Sequence, residues 1–360
     1  MEIRCYGCGA IIQNEDRKKI GYVPKNNIDE EVLCQRCFKL RHYHELSEAH
    51  LSKDDYFKIL QTIGEKDCLV IYIIDLFDFE ASLIPGLNRH IGGNDLFVLA
   101  NKRDLLPSSL NNNRLEQWVR RQLKKEGIKP IDVVITSGIK NLNLDEIYES
   151  LQTYRKGRDV CVVGVTNVGK STFINALLKH YASIEDKYLI TVSEFPGTTL
   201  NLINIPLDED SQLYDSPGII NEESIIQKVD PKDLKNIIPR SEIRPITYQL
   251  EANQSLFLSG LARLDYLEGK KQGFTIYVSK NIKMHRCKRE NADHLYNNHK
   301  TLEMSLYDTI DEMKTYEFSI KERCDLYIGG LGFIKVNGKG GRIRILAPKG
   351  VMVIKRESLI

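Results

Sequence analysis

The sequence predicts an α/β fold in three units: a layered domain around a mostly parallel sheet, a small metal-held module before it and a β-containing domain after it. Three observations carry this. Between residues 68 and 181, short apolar runs alternate with amphipathic helical stretches, the pattern of strand-helix-strand crossovers. Two C-x2-C pairs precede them, and from residue 241 onward strand-like runs separated by glycine turns take over. The expected units are 1–47, 48–240 and 241–360. Length agrees, since 360 residues at roughly 150 per domain make two or three folded units. Apolar residues are 42% and charged residues 28% of the chain, so wholesale disorder is excluded. The longest strictly apolar run, 68–74, is far short of the ~20 residues that cross a bilayer, and the opening Met1-Glu2-Ile3-Arg4-Cys5 lacks a secretory pattern. A cytoplasmic protein with no membrane partner is expected. No repeat of 20–50 residues stands out.

In the first unit, Cys5 and Cys8 form one C-x2-C pair and Cys34 and Cys37 another, with 25 residues between them. In a reducing compartment paired thiols point to metal rather than disulfide. Two residues between ligands let one turn aim both thiolates at a tetrahedral ion, and four thiolates leave no open position for chemistry. A structural zinc is expected, holding a zinc-ribbon-like module too small to fold alone. His42 and His44 read as surface residues rather than ligands, and Cys68 and Cys161 as core.

In the central unit, strands are expected over 68–75, 96–100, 131–136, 159–164 and 212–214, with helices over 114–126, 144–151 and 170–181. At the junction of the 159–164 strand and the 170–181 helix stands Gly164-Val165-Thr166-Asn167-Val168-Gly169-Lys170-Ser171, a G-x4-G-K-S phosphate loop. Its backbone amides and the helix N-terminus suit phosphates, Lys170 reaches the β and γ phosphates, and Ser171 can ligate magnesium. The phosphate-side set is Asn167, Val168, Gly169, Lys170, Ser171 and Thr172.

Asn101-Lys102-Arg103-Asp104, an N-K-x-D loop after the 96–100 strand, selects the base. A carboxylate at Asp104 can accept two donors from the guanine ring, a pair that adenine does not offer there. Thr136-Ser137-Gly138 would support that ring through backbone amides, with Ser137 and Gly138 the contacting pair. Asp215-Ser216-Pro217-Gly218 is a D-x-x-G corner, with Asp215 holding magnesium through water and the Gly218 amide meeting the γ phosphate. Pro196-Gly197-Thr198-Thr199 supplies the threonine that closes over magnesium, Thr199 before Thr198. Hydrolysis would rest on Lys170, Thr199, Gly218 and Asn167. Ordinary GTPases begin with the phosphate loop, whereas here the base motif comes first. The domain reads as circularly permuted, its old ends joined through 154–158, which leaves the neighbouring strands unchanged.

These motifs, with Cys5-Tyr6-Gly7-Cys8-Gly9, Cys34-Gln35-Arg36-Cys37, Asp75-Leu76-Phe77-Asp78-Phe79-Glu80-Ala81-Ser82 and Gly329-Gly330-Leu331-Gly332, resemble the YqeH family of circularly permuted bacterial GTPases over nearly the whole chain. Ser216 stands where the family more often has threonine, and Gly138 where it usually has alanine. The resemblance implies a GTP/GDP- and magnesium-dependent switch in assembly of the small ribosomal subunit, bound to the particle or its precursor rRNA. It also implies slow intrinsic turnover, since Ile219 occupies the position where many GTPases orient water with glutamine. Asn167 matches an asparagine that in related GTPases helps bind potassium.

Strands are expected over 273–279, 326–336 and 342–354. Net charge is only +2, but the basic residues gather at this end: Lys280, Lys283, Arg286, Lys288 and Arg289 cluster with His285, and 331–356 holds seven basic and no acidic residues. Tyr277, Tyr327 and Phe333 are candidate stacking groups, and RNA binding through phosphates is expected; a solvated basic face with core aromatics is the alternative. A monomeric regulatory GTPase is the leading reading. A nucleotide-dependent metabolic enzyme and an RNA scaffold with a structural GTP site are the alternatives.

Overall fold

Eight consecutive residues, Cys68–Asp75, are buried along their whole length, as a strand covered on both faces must be. Around that strand a computed structural model places a seven-stranded sheet. The structure describes residues 3, 5, 10–17, 21–24, 33–35, 38, 50–51, 53–181, 191–194, 201–298, 302–307 and 309–360. The chain divides into two compact units, Met1–Arg103 with Asn111–Ile220, and Asp104–Leu110 with Asn221–Ile360.

In the first unit the elements run β1 (His50–Leu51), α1 (Lys53–Gly64), β2 (Cys68–Asp75), α2 (Leu87–His90), β3 (Asp95–Asn101), α3 (Asn112–Lys125), β4 (Asp132–Ile135), α4 (Leu144–Arg155), β5 (Asp159–Val163), α5 (Lys170–Tyr181), β6 (Thr191–Glu194), β7 (Asn201–Pro206), β8 (Gln212–Asp215) and β9 (Gly218–Ile219). The sheet order is β4-β3-β2-β5-β8-β7-β6. The first five are mutually parallel, while β7 runs antiparallel to β8 and β6 antiparallel to β7. Parallel neighbours need a crossover, and α2, α3 and α4 follow β2, β3 and β4 in turn. The chain builds outward from β2 to β4, then returns to lay β5 on the other side of β2. That reversal makes the carboxyl ends of β2 and β5 the crevice where open α/β sheets bind ligands.

Local chemistry fixes the helices. The Asn111 side chain caps α3 by accepting from the Arg114 amide, and Leu115, Trp118, Val119, Gln122 and Leu123 form its buried stripe. Trp118 meets Phe79 edge-on at 5.0 Å. Cys68 and Cys161 are core residues as expected. The Cys161 thiol is held well above its ordinary pKa by its hydrogen bond with Cys68 and by burial. Before β1, Cys5, Ala10, Val23 and Cys34 form a small buried cluster, in which the Cys34 amide donates to Cys5 Sγ at 3.1 Å. Cys8, Cys37, His42 and His44 lie outside the described residues.

The second unit contains α6 (Leu234–Ile237), β10 (Ile246–Leu250), β11 (Gln254–Leu258), β12 (Ala262–Glu268), β13 (Gln272–Val278), β14 (Met284–Lys288), α7 (Ala292–Asn297), β15 (Met313–Ile320), β16 (Cys324–Ile328), β17 (Gly332–Val336), β18 (Gly341–Pro348) and β19 (Val353–Glu357). Two antiparallel five-stranded sheets, β14-β11-β12-β18-β15 and β10-β13-β17-β16-β19, enclose one apolar core. Substituting β15–β19 for β10–β14, and the reverse, turns either order into the other, so one five-strand plan occurs twice, with β10 and β13 of the first copy and β15 and β18 of the second exchanged between sheets. The repeat is 67 residues from Ile246 to Met313, longer than the 20–50 residues of short repeats, and shared topology needs only similar apolar alternation, not similar residues.

Two strand expectations need correction. The 326–336 run is the hairpin β16–β17, and 342–354 spans β18 and the start of β19. Tyr277, Tyr327 and Phe333 are not exposed stacking groups. All three are buried, Tyr277 stacks on Phe333 at 4.6 Å, and the Arg356 guanidinium sits 5.0 Å from the Tyr327 ring and 4.8 Å from the Phe333 ring. Lys280, Lys283, His285, Arg286, Lys288 and Arg289 are exposed on or beside the edge strand β14. The basic run further on is partly neutralised, with Arg342 bound to Glu268 and Arg344 to Glu317, and Arg356 is buried.

Candidate nucleotide-binding site

The five parallel strands end, in sheet order β4, β3, β2, β5 and β8, at Ile135, Asn101, Asp75, Val163 and Asp215. Four of those ends carry a motif read from the sequence, and they lie along one edge of one sheet. Sequence positions far apart thereby become neighbours.

The phosphate loop follows β5. Asn167 and Gly169 take φ of 65° and 89°, the left-handed region, and a Cβ on Gly169 would lie 2.5 Å from Asn101 Nδ2. Lys170 opens α5 with its side chain buried, Nζ 3.5 Å from Asp215 Oδ1 and donating to the Ser216 carbonyl. Ser171 and Val168 are buried, Thr172 and Asn167 exposed. A buried ammonium, hydroxyl and carboxylate around the first turn of a twelve-residue helix form a donor set that fits a magnesium-bound phosphate chain.

Asn101 straps three segments together. Its Nδ2 donates to the Val168 carbonyl at 2.8 Å, and its Oδ1 accepts from the Gly138 amide at 3.0 Å. Ser137 is buried, and the Thr136 amide extends the sheet by donating to Ala100 O at 2.8 Å. The glycine at 138 has a packing reason, since a Cβ there would stand 3.2 Å from the backbone of Phe173. Lys102, at φ 64°, reaches Asp75 Oδ2 at 2.7 Å. Asp104 is half-buried in the 3-10 turn Arg103–Leu105 and is the first residue of the second unit.

The D-x-x-G corner is held from both sides. Ser216 N and Oγ both donate to Val162 O, at 3.1 and 2.8 Å, and the Thr166 amide donates to Ile219 O at 2.8 Å. β9 pairs in parallel with β1, and Ile219 is buried. Pro196, Gly197, Thr198 and Thr199 lie outside the described residues.

Two residues escaped the sequence reading. Tyr56 of α1 is fully buried, and its hydroxyl accepts from the Gly164 amide at 3.2 Å. Burial pushes its pKa up against the opposing hydrogen bonds from Gly164 and Ser216, so the phenol stays protonated. Asp75 is the other. An apolar helix stripe hides the first, and only the pairing of β2 with β3 reveals the second.

A family model described as "50S ribosome-binding GTPase" matches residues 159–254, and one described as "YqeH-like, C-terminal" matches residues 271–359. "Uncharacterized protein YqeH" of Bacillus subtilis (strain 168) is 44% identical over 366 aligned residues, 100% of each chain. "Putative nitric oxide synthase" of Oryza sativa subsp. japonica is 28% identical over 93% of this chain and 70% of its own. "Nuclear GTP-binding protein NUG1" of Saccharomyces cerevisiae is 27% identical over 59% of this chain and 45% of its own. The chain thus carries a GTPase domain, whose ligands are GTP or GDP with magnesium and whose chemistry is nucleotide hydrolysis. With full-length identity to a YqeH protein and a match to that family's C-terminal model, the chain belongs to the YqeH family of GTPases.

Proposed function

We propose that the chain is a circularly permuted regulatory GTPase of ribosome assembly, binding the small subunit or its precursor rRNA in a nucleotide-dependent way. The carrying observation is the sheet edge at which Asn101 of the base motif, the ring-supporting loop, the phosphate loop and the D-x-x-G corner meet although the base motif comes first in the chain. The match to the GTPase model beginning at residue 159, after the base motif, supports the permuted order. Asn101, Lys102, Asp104, Ser137 and Gly138 would read guanine, the run from Asn167 to Thr172 would hold the phosphates, and Ser171, Asp215 and Thr199 would hold magnesium. Buried Ile219 cannot orient water, which supports slow intrinsic turnover. Potassium bound with help from Asn167 would supply the missing positive charge. Turnover should fall when sodium replaces potassium, and Asn167→Ala should abolish that difference while still binding GTP. Equal rates in both salts would remove the assignment.

The reading gives the chain a zinc module over 1–47, the GTPase domain over 48–240 and a ribosome- or RNA-binding domain over 241–360. Buried Cys5 and Cys34, joined by an N–H···S bond, support zinc on Cys5, Cys8, Cys34 and Cys37. Metal analysis should find one zinc per chain, lost in Cys34→Ser. The exposed bases around β14 support an RNA partner, reached by a cytoplasmic monomer. Among the described residues no helix is long and apolar enough to cross a membrane. The test is sedimentation with each ribosomal subunit in GDP and in a non-hydrolysable GTP analogue. Cosedimentation with the small subunit that depends on the analogue is expected. Association with the large subunit, as the description of the matching GTPase model suggests, would reassign the particle. Indifference to nucleotide would contradict the switch, and stimulation of hydrolysis by a small metabolite rather than ribosomes would favour the metabolic enzyme.

A further inference from the structure

The run from Asp75 to Ser82 has no part in the chemistry so far, yet it surrounds a buried carboxylate at the centre of the motif-bearing sheet edge. Asp75 ends β2 opposite Asn101 of β3. Its two oxygens divide their work. Oδ1 accepts from the Phe77 and Asp78 amides at 2.8 and 3.3 Å, closing a local turn, while Oδ2 reaches the neighbouring loop and takes Lys102 Nζ at 2.7 Å. Ser82 Oγ accepts from the Asp75 amide at 3.1 Å and donates to Phe79 O at 2.7 Å, and the Tyr72 hydroxyl donates to Ser82 O at 2.8 Å. The carboxylate is therefore fixed before any ligand arrives.

Lys102 is fixed in turn. Its backbone is left-handed, and Cε lies 4.0 Å from where a Cβ on Gly169 would stand, so the stem crosses the glycine of the phosphate loop on its way to Asp75. A free lysine would sample many rotamers, whereas this one is held with its stem beside Gly169 and its ammonium on Asp75. We propose that Asp75 is a positioning residue for guanine-nucleotide binding, acting through Lys102. The inference rests on the guanine reading of the 101–104 loop.

The test is titration of the full chain with GDP and ADP for wild type, Asp75→Asn, Lys102→Met and the double variant, with thermal melting beside each. Asparagine keeps the Oδ1 turn and sets an amide against the ammonium, so Asp75→Asn should weaken GDP about tenfold, the loss of one charge-assisted bond. ADP affinity should not move. On the Lys102→Met background the second change should add nothing. GDP affinity within twofold of wild type, or a full loss that persists on Lys102→Met, would overturn the proposal. Should Asp75→Asn not fold, Lys102→Met removes the same bond from the more exposed side and should show the same loss; unchanged GDP affinity there is equally fatal. A wild type that takes ADP as readily as GDP would instead end the guanine reading itself, and this inference with it.

Discussion

Lys170→Met should retain the fold and lose GTP affinity by about two orders of magnitude, since two charge-assisted phosphate bonds at ~1.5 kcal/mol each amount to ~3 kcal/mol. The side chain is buried at the start of α5, 3.5 Å from Asp215, where the proposed reading puts the triphosphate, and methionine fills nearly the same volume. Turnover should become undetectable, because in the proposed site the same ammonium would face the charge that builds up during phosphoryl transfer. Equilibrium titration with GTP and phosphate release check both parts. A variant that binds GTP within tenfold of wild type would remove Lys170 from the site.

Gly169→Ala should be the other large effect, for two separable reasons. A left-handed backbone disfavours any Cβ by ~1–2 kcal/mol, and here that Cβ would also stand 2.5 Å from Asn101 Nδ2. Asn101 cannot yield without losing its bonds to Val168 and Gly138, worth ~1 kcal/mol each. The two ends of the pocket should fail together, with GDP affinity down about a hundredfold. Gly157→Ala is the control. Its φ of 79° imposes the same backbone penalty, but nothing lies within 4 Å of the added carbon, so it should melt slightly lower and bind GDP as wild type does. Equal GDP loss in both variants would show that crowding at Asn101 is irrelevant.

What the residues disclosed follows from how local each signal is. β2, β3 and β5 were readable because strands covered on both faces are nearly pure apolar runs, and the phosphate loop because its glycines, lysine and serine are consecutive. Asn101 was visible as part of a motif, yet its strap between Val168 and Gly138 appears only when β3, β4 and β5 are laid in order. Tyr56 and Asp75 act through partners 108 and 27 residues away, a distance no spacing rule covers. The aromatic residues 277, 327 and 333 misled because alternation marks a strand's inner and outer faces, but not which face a second sheet will cover. Gly329 and Gly330 stand in the turn between β16 and β17, so paired glycines inside an apolar run mark the break between two strands.

The convergence of these segments on one pocket is most directly tested by amide hydrogen exchange across the whole chain with saturating GDP and, separately, ADP. GDP should slow exchange at 101–104, 136–138, 164–172 and 215–218 together, and ADP should leave the first two segments unprotected. Protection by GDP confined to 164–172, or the same pattern with ADP, would contradict a shared guanine-nucleotide site.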